Sequence, residues 1–272
     1  MGGVGNQLFQ IAMVYCLSKK YNGRLLFKKF DFAGCRQGSH PSKYYTTIYE
    51  KLEYVQDIDK PHMIVNDHRQ PLNYTDIERQ LSELKEDPSI IYCDGYWQSM
   101  MYFEEHREEV KQLFTPKEGI INLLERTTDI FTRFPELKEE HDYCFIGVRR
   151  GDYVTHAYSH NPCGFSYYSQ GMERMNKQRY YISSDDYEWC KRKFVGDQYR
   201  FFDLEDDLPQ LLAITLFKNY ILSNSSFYWW GSFLSIYPNP SIIVPDKWIT
   251  ERNHEIIYRP EMVILNREVE CD

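Results

Sequence analysis

The stretch "YCFIGVRRGDY" (143–153) decides the fold. It opens on an apolar run with no polar face, which reads as a strand covered on both sides. Two arginines, a glycine and an aspartate then end it. A strand of that kind belongs to a parallel sheet wrapped by helices, and the chain downstream obliges. Helical and strand texture alternate through "FSYYSQGMERM" (165–175), "RYYIS" (179–183), "SDDYEWCKRKF" (184–194), "YRFFD" (199–203), "DDLPQLLAITLF" (206–217), "NYILS" (219–223) and "FYWWGSFLSIY" (227–237). Pro238 and Pro240 break the last helix ahead of the strand "SIIVP" (241–245). Alternation of this sort predicts an α/β domain with a parallel sheet.

Upstream the texture differs. "GGVGNQLFQIAMVYCLSKK" (2–20) reads as a Gly-rich turn running into a helix that is apolar on most sides and therefore buried. Asn22-Gly23 stops it, and "RLLFKKF" (24–30) reads as a strand. Residues 31–90 are polar, with breaks at Pro, Asn and Asp, and read as short elements and loops. "SIIYCDGYWQS" (89–99) is a strand entering a turn, and "YFEEHREEVKQLF" (102–114) a helix. Thr115-Pro116 opens a further helix through "KEGIINLLERTTDIFTRF" (117–134), the expected link between two lobes. In such folds a strand precedes the Gly-rich turn, so the first strand of the N-terminal lobe is expected to be missing, truncated or never part of this protein. The lobes are expected at 1–138, with the linking helix, and 139–272, the extreme C-terminus being a candidate to pack back on the first.

Bulk properties narrow the function. With 42% hydrophobic and 26% charged residues the chain reads as soluble and globular. A formal net charge of -8 argues against a general nucleic-acid binder, which needs a broad basic face. The seven cysteines show no CxxC spacing, so neither a zinc site nor a disulfide framework is suggested. No apolar run reaches the length of a membrane span. The N-terminus has no basic region ahead of its apolar part, so no signal peptide is read there, and Asn6 stands where a myristoylation motif needs Ser or Thr. A cytoplasmic protein is expected, with peripheral membrane association left open.

Parallel sheets bind ligands outside the carboxyl ends of their strands. Three polar turns fall there. In Arg149-Arg150-Gly151-Asp152, guanidinium forks match phosphate oxygens, but adjacent residues point to opposite faces. Arg149 is expected on a ligand and Arg150 on the scaffold. A pair of structural salt bridges is the alternative. Ser183-Ser184-Asp185-Asp186 offers hydrogen bonds to a ribose or base edge. Taken alone it reads first as a helix N-cap with acids in the first turn. Asn224-Ser225-Ser226-Phe227 could form an anion pocket at a helix N-terminus, or a plain cap. Gly5, Asn6 and Gln7 could cradle a phosphate, although neither a dinucleotide fingerprint nor a P-loop is complete. None of the eight histidines shows metal-ligand spacing. His62, His68, His156 and His160 read as solvated or core residues.

Together these segments resemble glycosyltransferase family 11, the α-1,2-fucosyltransferases. "GGVGNQLFQIA" is similar to the family's opening motif, "GYWQSMMYF" (95–103) to its aromatic-Gln-Ser segment, and "VRRGDY" to its His-x-Arg-Arg-x-Asp-Tyr block. "SSDDYEWCKRKF" and "NSSFYWWGSFL" resemble its two later blocks. All five occur in order between residues 2 and 234. The resemblance implies the GT-B arrangement, two Rossmann-like lobes facing a central cleft. It also implies an inverting, metal-independent transfer of L-fucose from GDP-fucose to a glycan acceptor, with no cofactor.

On that model Arg149 holds the β-phosphate, and Arg150 borders the nucleotide. Asn224, Ser225, Ser226 and Phe227 line the phosphates. Ser184, Asp185 and Asp186 face the ribose and guanine, while Gly5, Asn6 and Gln7 approach from the other lobe. Asp152, Asp67 and Asp94 are the candidate bases. One departure is plain: the motif's histidine position is Gly147. A GDP-sugar-binding protein with weak or no transferase activity is the alternative. The tripeptide Arg150-Gly151-Asp152 also matches a cell-adhesion signal, which would need an exposed loop.

Overall fold

A computed structural model describes residues 2–28, 41–55, 63–66, 79, 90–249 and 257–267. The chain divides into two compact units, Met1–Pro116 and Lys117–Asp272.

In the first unit α1 (Val4–Lys20) starts directly after Gly2-Gly3, and no strand precedes it among the described residues. Leu8, Phe9, Ala12 and Met13 are buried along it, as its all-round apolar composition requires. Short parallel pairs follow: β1 (Phe27–Lys28) with β2 (Tyr54–Val55), and β3 (Met63–Asn66) with β4 (Ile91–Asp94). The strand expected over 24–30 is therefore only two residues long among the described ones. The helix expected over 102–114 begins as two 3₁₀ turns and becomes α2 only at Arg107–Phe114.

The single helix expected over 117–134 is two. α3 (Ile120–Thr127) and α4 (Ile130–Arg133) are separated at Thr128. The Thr128 hydroxyl donates to the Leu124 carbonyl at 2.8 Å and accepts from the Ile130 N–H at 3.2 Å, so the side chain takes over the backbone bonding of a helical turn. From Lys117 on the chain joins the second unit rather than the first. Arg133 donates to the Asp203 carbonyl at 2.9 Å, and the Phe134 ring packs on Tyr181 and Phe202. The two compact units divide between Pro116 and Lys117, so α3 and α4 are counted with the second.

The second unit carries a six-stranded sheet in the order β10-β9-β8-β5-β6-β7, every pair parallel. Its strands are β5 (Cys144–Val148), β6 (Tyr180–Ser184), β7 (Tyr199–Phe201), β8 (Asn219–Leu222), β9 (Ser241–Pro245) and β10 (Val263–Leu265). β5, β6 and β8 are buried along their whole length, which is why they read as unbroken apolar runs. β10 was not anticipated. Its helices are α5 (Gly151–Thr155), α6 (Ala157–His160), α7 (Phe165–Met175), α8 (Tyr187–Lys193), α9 (Asp207–Ile214) and α10 (Ser226–Phe233).

Much of the core is aromatic: Phe145 is ringed by Phe202, Phe217, Tyr220 and Tyr228. The described cysteines are free, and burial pushes the Cys163 and Cys190 thiols up to about 12, so they pack as small apolar groups. Among the described residues no helix is long and apolar enough to cross a membrane. The extreme C-terminus, 268–272, lies outside the described residues.

Candidate functional site

β5 sits between β6 and β8, so the three polar turns that follow these strands meet at one edge of the sheet. The β5–β8 pairing runs on past both strands. The Ser223 N–H donates to the Gly147 carbonyl at 2.9 Å, and the Arg149 N–H to the Ser223 hydroxyl at 3.1 Å. Ser223, fully buried, thus fixes the backbone of Arg149. It was not singled out from sequence, because it reads simply as the end of a strand.

Beyond that point the two arginines part. Arg149 keeps a third of its side chain exposed. Its Nη2 donates to Asp152 Oδ1 at 2.7 Å, its Nη1 lies 3.1 Å from Asp185 Oδ2, and its guanidinium rests over the Tyr153 ring. Burial works against this charge. The carboxylates of Asp185 and Asp152 outweigh it, and the guanidinium holds its proton more firmly than usual. Arg150 is 12% exposed. Its guanidinium stacks on Trp189, 4.1 Å from the ring centroid, with Nε 3.4 Å from Asp186 Oδ2. The second arginine thus braces the turn after β5, where it stands at the N-cap of α5. It lines a groove of about 550 Å³ with Gly151, Val154, Asp186, Trp189 and Arg192. An adhesion signal needs this arginine extended into solvent, and its stacking on Trp189 removes that reading.

The Ser-Asp-Asp turn divides in the same way. Asp186 caps α8, its Oδ1 accepting from the Trp189 N–H at 3.0 Å, and the Ser184 hydroxyl accepts from the Asp186 N–H at 2.9 Å. Capping therefore accounts for both. Asp185 turns the other way, toward Arg149, and also accepts the Arg150 N–H at 2.8 Å. Gly151 makes this approach possible, since a Cβ there would run into the Asp185 carboxylate.

Asn224 does not face the edge. It is buried, and its Nδ2 donates to the carbonyls of His160 at 2.7 Å and Trp248 at 2.8 Å. Ser225 is also buried at the N-cap of α10, with no side-chain cap bond. Ser226 and Phe227, in the first turn of α10, are half-buried at the edge. Helix geometry aims the opening amides of that turn outward. Arg149 and Asp185 form one patch, and α10 opens after the adjacent strand β8. Asp152 joins the patch through Arg149.

The remaining candidates belong to the first unit. Gly5 is buried in α1. Asn6 accepts from Gln98 at 2.7 Å, while Gln7 donates to the Gly2 carbonyl at 2.9 Å and accepts from Tyr49 at 3.2 Å. Asp94 is exposed at the end of β4. Asp67, His62 and His68 lie outside the described residues. His156 is exposed, and His160 stacks on Tyr153 with centroids 4.4 Å apart; burial lowers its pKa, so it is neutral and serves as packing.

Gly147 has a physical reason. The Tyr228 ring lies flat against it, and a Cβ at Gly147 would fall 2.5 Å from Tyr228 Cγ. The tyrosine occupies the space a side chain on β5 would need. Its hydroxyl lies 3.3 Å from the Ser183 hydroxyl and 3.4 Å from the Val148 carbonyl, which ties α10 to β6 and β5.

A parallel α/β lobe that gathers polar turns at its central strand ends is the architecture expected of one lobe of a GT-B fold. The solved structures agree on the fold. An α-1,6-fucosyltransferase, NodZ, co-crystallized with GDP, superposes with a TM-score of 0.53 at 12% identity, over 88% of this chain and 93% of that one. The fucosyltransferase NodZ from Bradyrhizobium gives 0.51 at 11%, over 85% and 89%. Residues 52–266 match glycosyl transferase family 11, and the chain belongs to that family. Two Escherichia coli relatives align along nearly the whole length. One is an O-antigen biosynthesis glycosyltransferase, WbnK, 25% identical over 93% of this chain and 94% of the relative. The other is an alpha-1,2-colitosyltransferase, 28% identical over 91% and 90%.

Proposed function

We propose that the protein transfers L-fucose from GDP-fucose to the 2-hydroxyl of a galactose unit, with inversion and without a metal. The observation that carries this is Arg149, the partly exposed cation at the meeting point of three strand ends and the α10 N-terminus. Breaking the anomeric bond builds negative charge on the departing diphosphate, and fixed cations and amides stabilise it. The oxygens that Arg149 now holds, from Asp152 and Asp185, have the charge and hydrogen-bonding character of phosphate oxygens. A diphosphate would take their place or share the fork. Ser226 and the first amides of α10 supply further donors, and Asp185, once released, is placed for a ribose hydroxyl. Asp152 is the carboxylate of this patch that can accept the acceptor hydroxyl's proton, provided Arg149 has turned to the phosphate. Attack on the face opposite the leaving group inverts the anomeric centre.

An α-1,2 linkage is supported by the name of the relative at 28% identity. The α-1,6 enzyme shares the fold at 12%. The test is incubation with GDP-fucose and galactose-ended acceptors, with the product linkage read by NMR. Folded protein that gives neither transfer nor donor hydrolysis overturns the reading. Gly147 favours a second reading, a protein that binds the GDP-sugar but transfers weakly, because no imidazole stands on β5. Calorimetric GDP binding with no transfer would select it.

A further inference from the structure

Arg267, two residues past β10, is 8% exposed. Among the described residues no carboxylate lies within ion-pair distance of its guanidinium, and its Nη2 has no hydrogen-bond partner. Its backbone N–H donates to Asp246 Oδ1 at 3.1 Å, and a buried guanidinium must satisfy its donors locally, so its side-chain contacts need a reason. They converge on one place. Nη1 donates to the His160 carbonyl at 3.2 Å and to the Asn161 carbonyl. Asn224 donates to the same His160 carbonyl from the other side. Asn161 is left-handed, with φ 44, a conformation that needs support from its surroundings.

The segment so held carries the arginine of the site. The His160 ring stacks on Tyr153 at an interplanar angle of 14°. The Tyr153 hydroxyl donates to the Asn224 carbonyl at 3.1 Å, and its ring lies 5.2 Å from the Arg149 guanidinium. A continuous series of contacts therefore runs from Arg267 through His160 and Tyr153 to Arg149, braced at Asn224.

We propose that Arg267 is a positioning residue for the donor site: it clamps the His160–Asn161 turn against Asn224 and thereby sets Tyr153 and Arg149. The role rests on the donor reading above, but the clamp does not. Two measurements separate them. In Arg267→Met, which keeps the apolar stem and removes the donors, amide hydrogen exchange over 149–161 should accelerate at least tenfold while β5, β6 and β8 keep their rates. Arg267→Lys, which can still donate to both carbonyls, should restore most of the protection.

Calorimetry with GDP supplies the second arm. Arg267→Met should weaken GDP at least tenfold, and adding it to Arg149→Ala should change affinity less than threefold, because one residue acts through the other. Unchanged exchange over 149–161, or exchange raised across the whole unit, overturns the clamp. Additive losses in the double variant overturn its action through Arg149. Wild-type protein that binds no GDP overturns the donor reading, and the exchange result then decides the clamp alone.

Discussion

Gly147→Ala is the sharpest single perturbation of this lobe. The added Cβ would sit 2.5, 2.6 and 3.0 Å from three ring carbons of Tyr228. Ordinary carbon contacts lie at about 3.5–4.0 Å, so the ring or the strand must yield by about 1 Å. Neither is free to do so. Tyr228 is 5% exposed and packs on Phe145 and Phe227. β5 is laddered on both sides, Gly147 standing opposite Ser183 and Leu222. The cost therefore belongs near the top of the overpacking range, about 2–3 kcal/mol. At about 2–4 °C per kcal/mol this lowers Tm by about 4–12 °C. Urea unfolding measures it, with a double-mutant cycle against Tyr228→Ala. That change removes the ring and itself costs about 3–5 kcal/mol by analogy with buried Phe→Ala. In the Tyr228→Ala background the Gly147→Ala penalty should fall below about 0.5 kcal/mol, the usual limit of additivity error. A well-folded Gly147→Ala protein as stable as wild type would refute the reasoning, as would an equal penalty in both backgrounds.

Other outcomes follow from the same geometry. Arg149→Ala should lower transfer from GDP-fucose by at least about a hundredfold, the scale of losing one leaving-group donor. Arg150→Ala should lower it by less than about tenfold, while destabilising the fold by about 1–2 kcal/mol through the lost stacking on Trp189; equal, mild losses in both variants would remove the phosphate role. Transfer should persist in excess chelator, and its collapse there would contradict the metal-free reading. His141 supplies a pH dependence. It is buried, and burial, with the Lys218 ammonium adding to it, lowers its pKa to about 4. The unfolded chain binds this proton near pH 6.5 and the folded chain only near 4, so the stability is complete above about 6.5 and is lost as pH falls through that window. By pH 4.5 the loss is about 2–3 kcal/mol. Chemical denaturation at pH 7.5 and 4.5 should show that difference between wild type and His141→Phe; the same pH slope in both would exclude His141 as its source.

Which parts of this structure the sequence announces follows from how far each residue's partner lies along the chain. β5, β6 and β8 are buried on both faces, so each is a continuous apolar run with a polar turn after it, and that is a local property. The divergence of Arg149 and Arg150 is less local: both stand past the end of β5, and Asp185, Asp186 and Trp189 of the neighbouring turn separate them. β10 escaped because it is three residues long and its pairing with β9 bridges a distant stretch. The break between α3 and α4 escaped because the same hydroxyl can sit quietly on a helix or take over its hydrogen bonds.

Ser184 and Asp186 could not be sorted from Asp185 by spacing, because a cap and a ligand-facing turn use the same residue types. The sorting comes from Gly151 and the arginines, on another strand. Tyr228 reaches Val148 across 80 positions, and Arg267 reaches His160 across 107. Both decide how the site is held, and both look like ordinary core or edge residues in their own neighbourhoods. Gly147 ties the two kinds of information together. On its own strand it is an unexplained departure from the motif. Beside Tyr228 it is the position where a distant aromatic ring takes the space of a side chain, so the departure and the tyrosine form one feature that must change together.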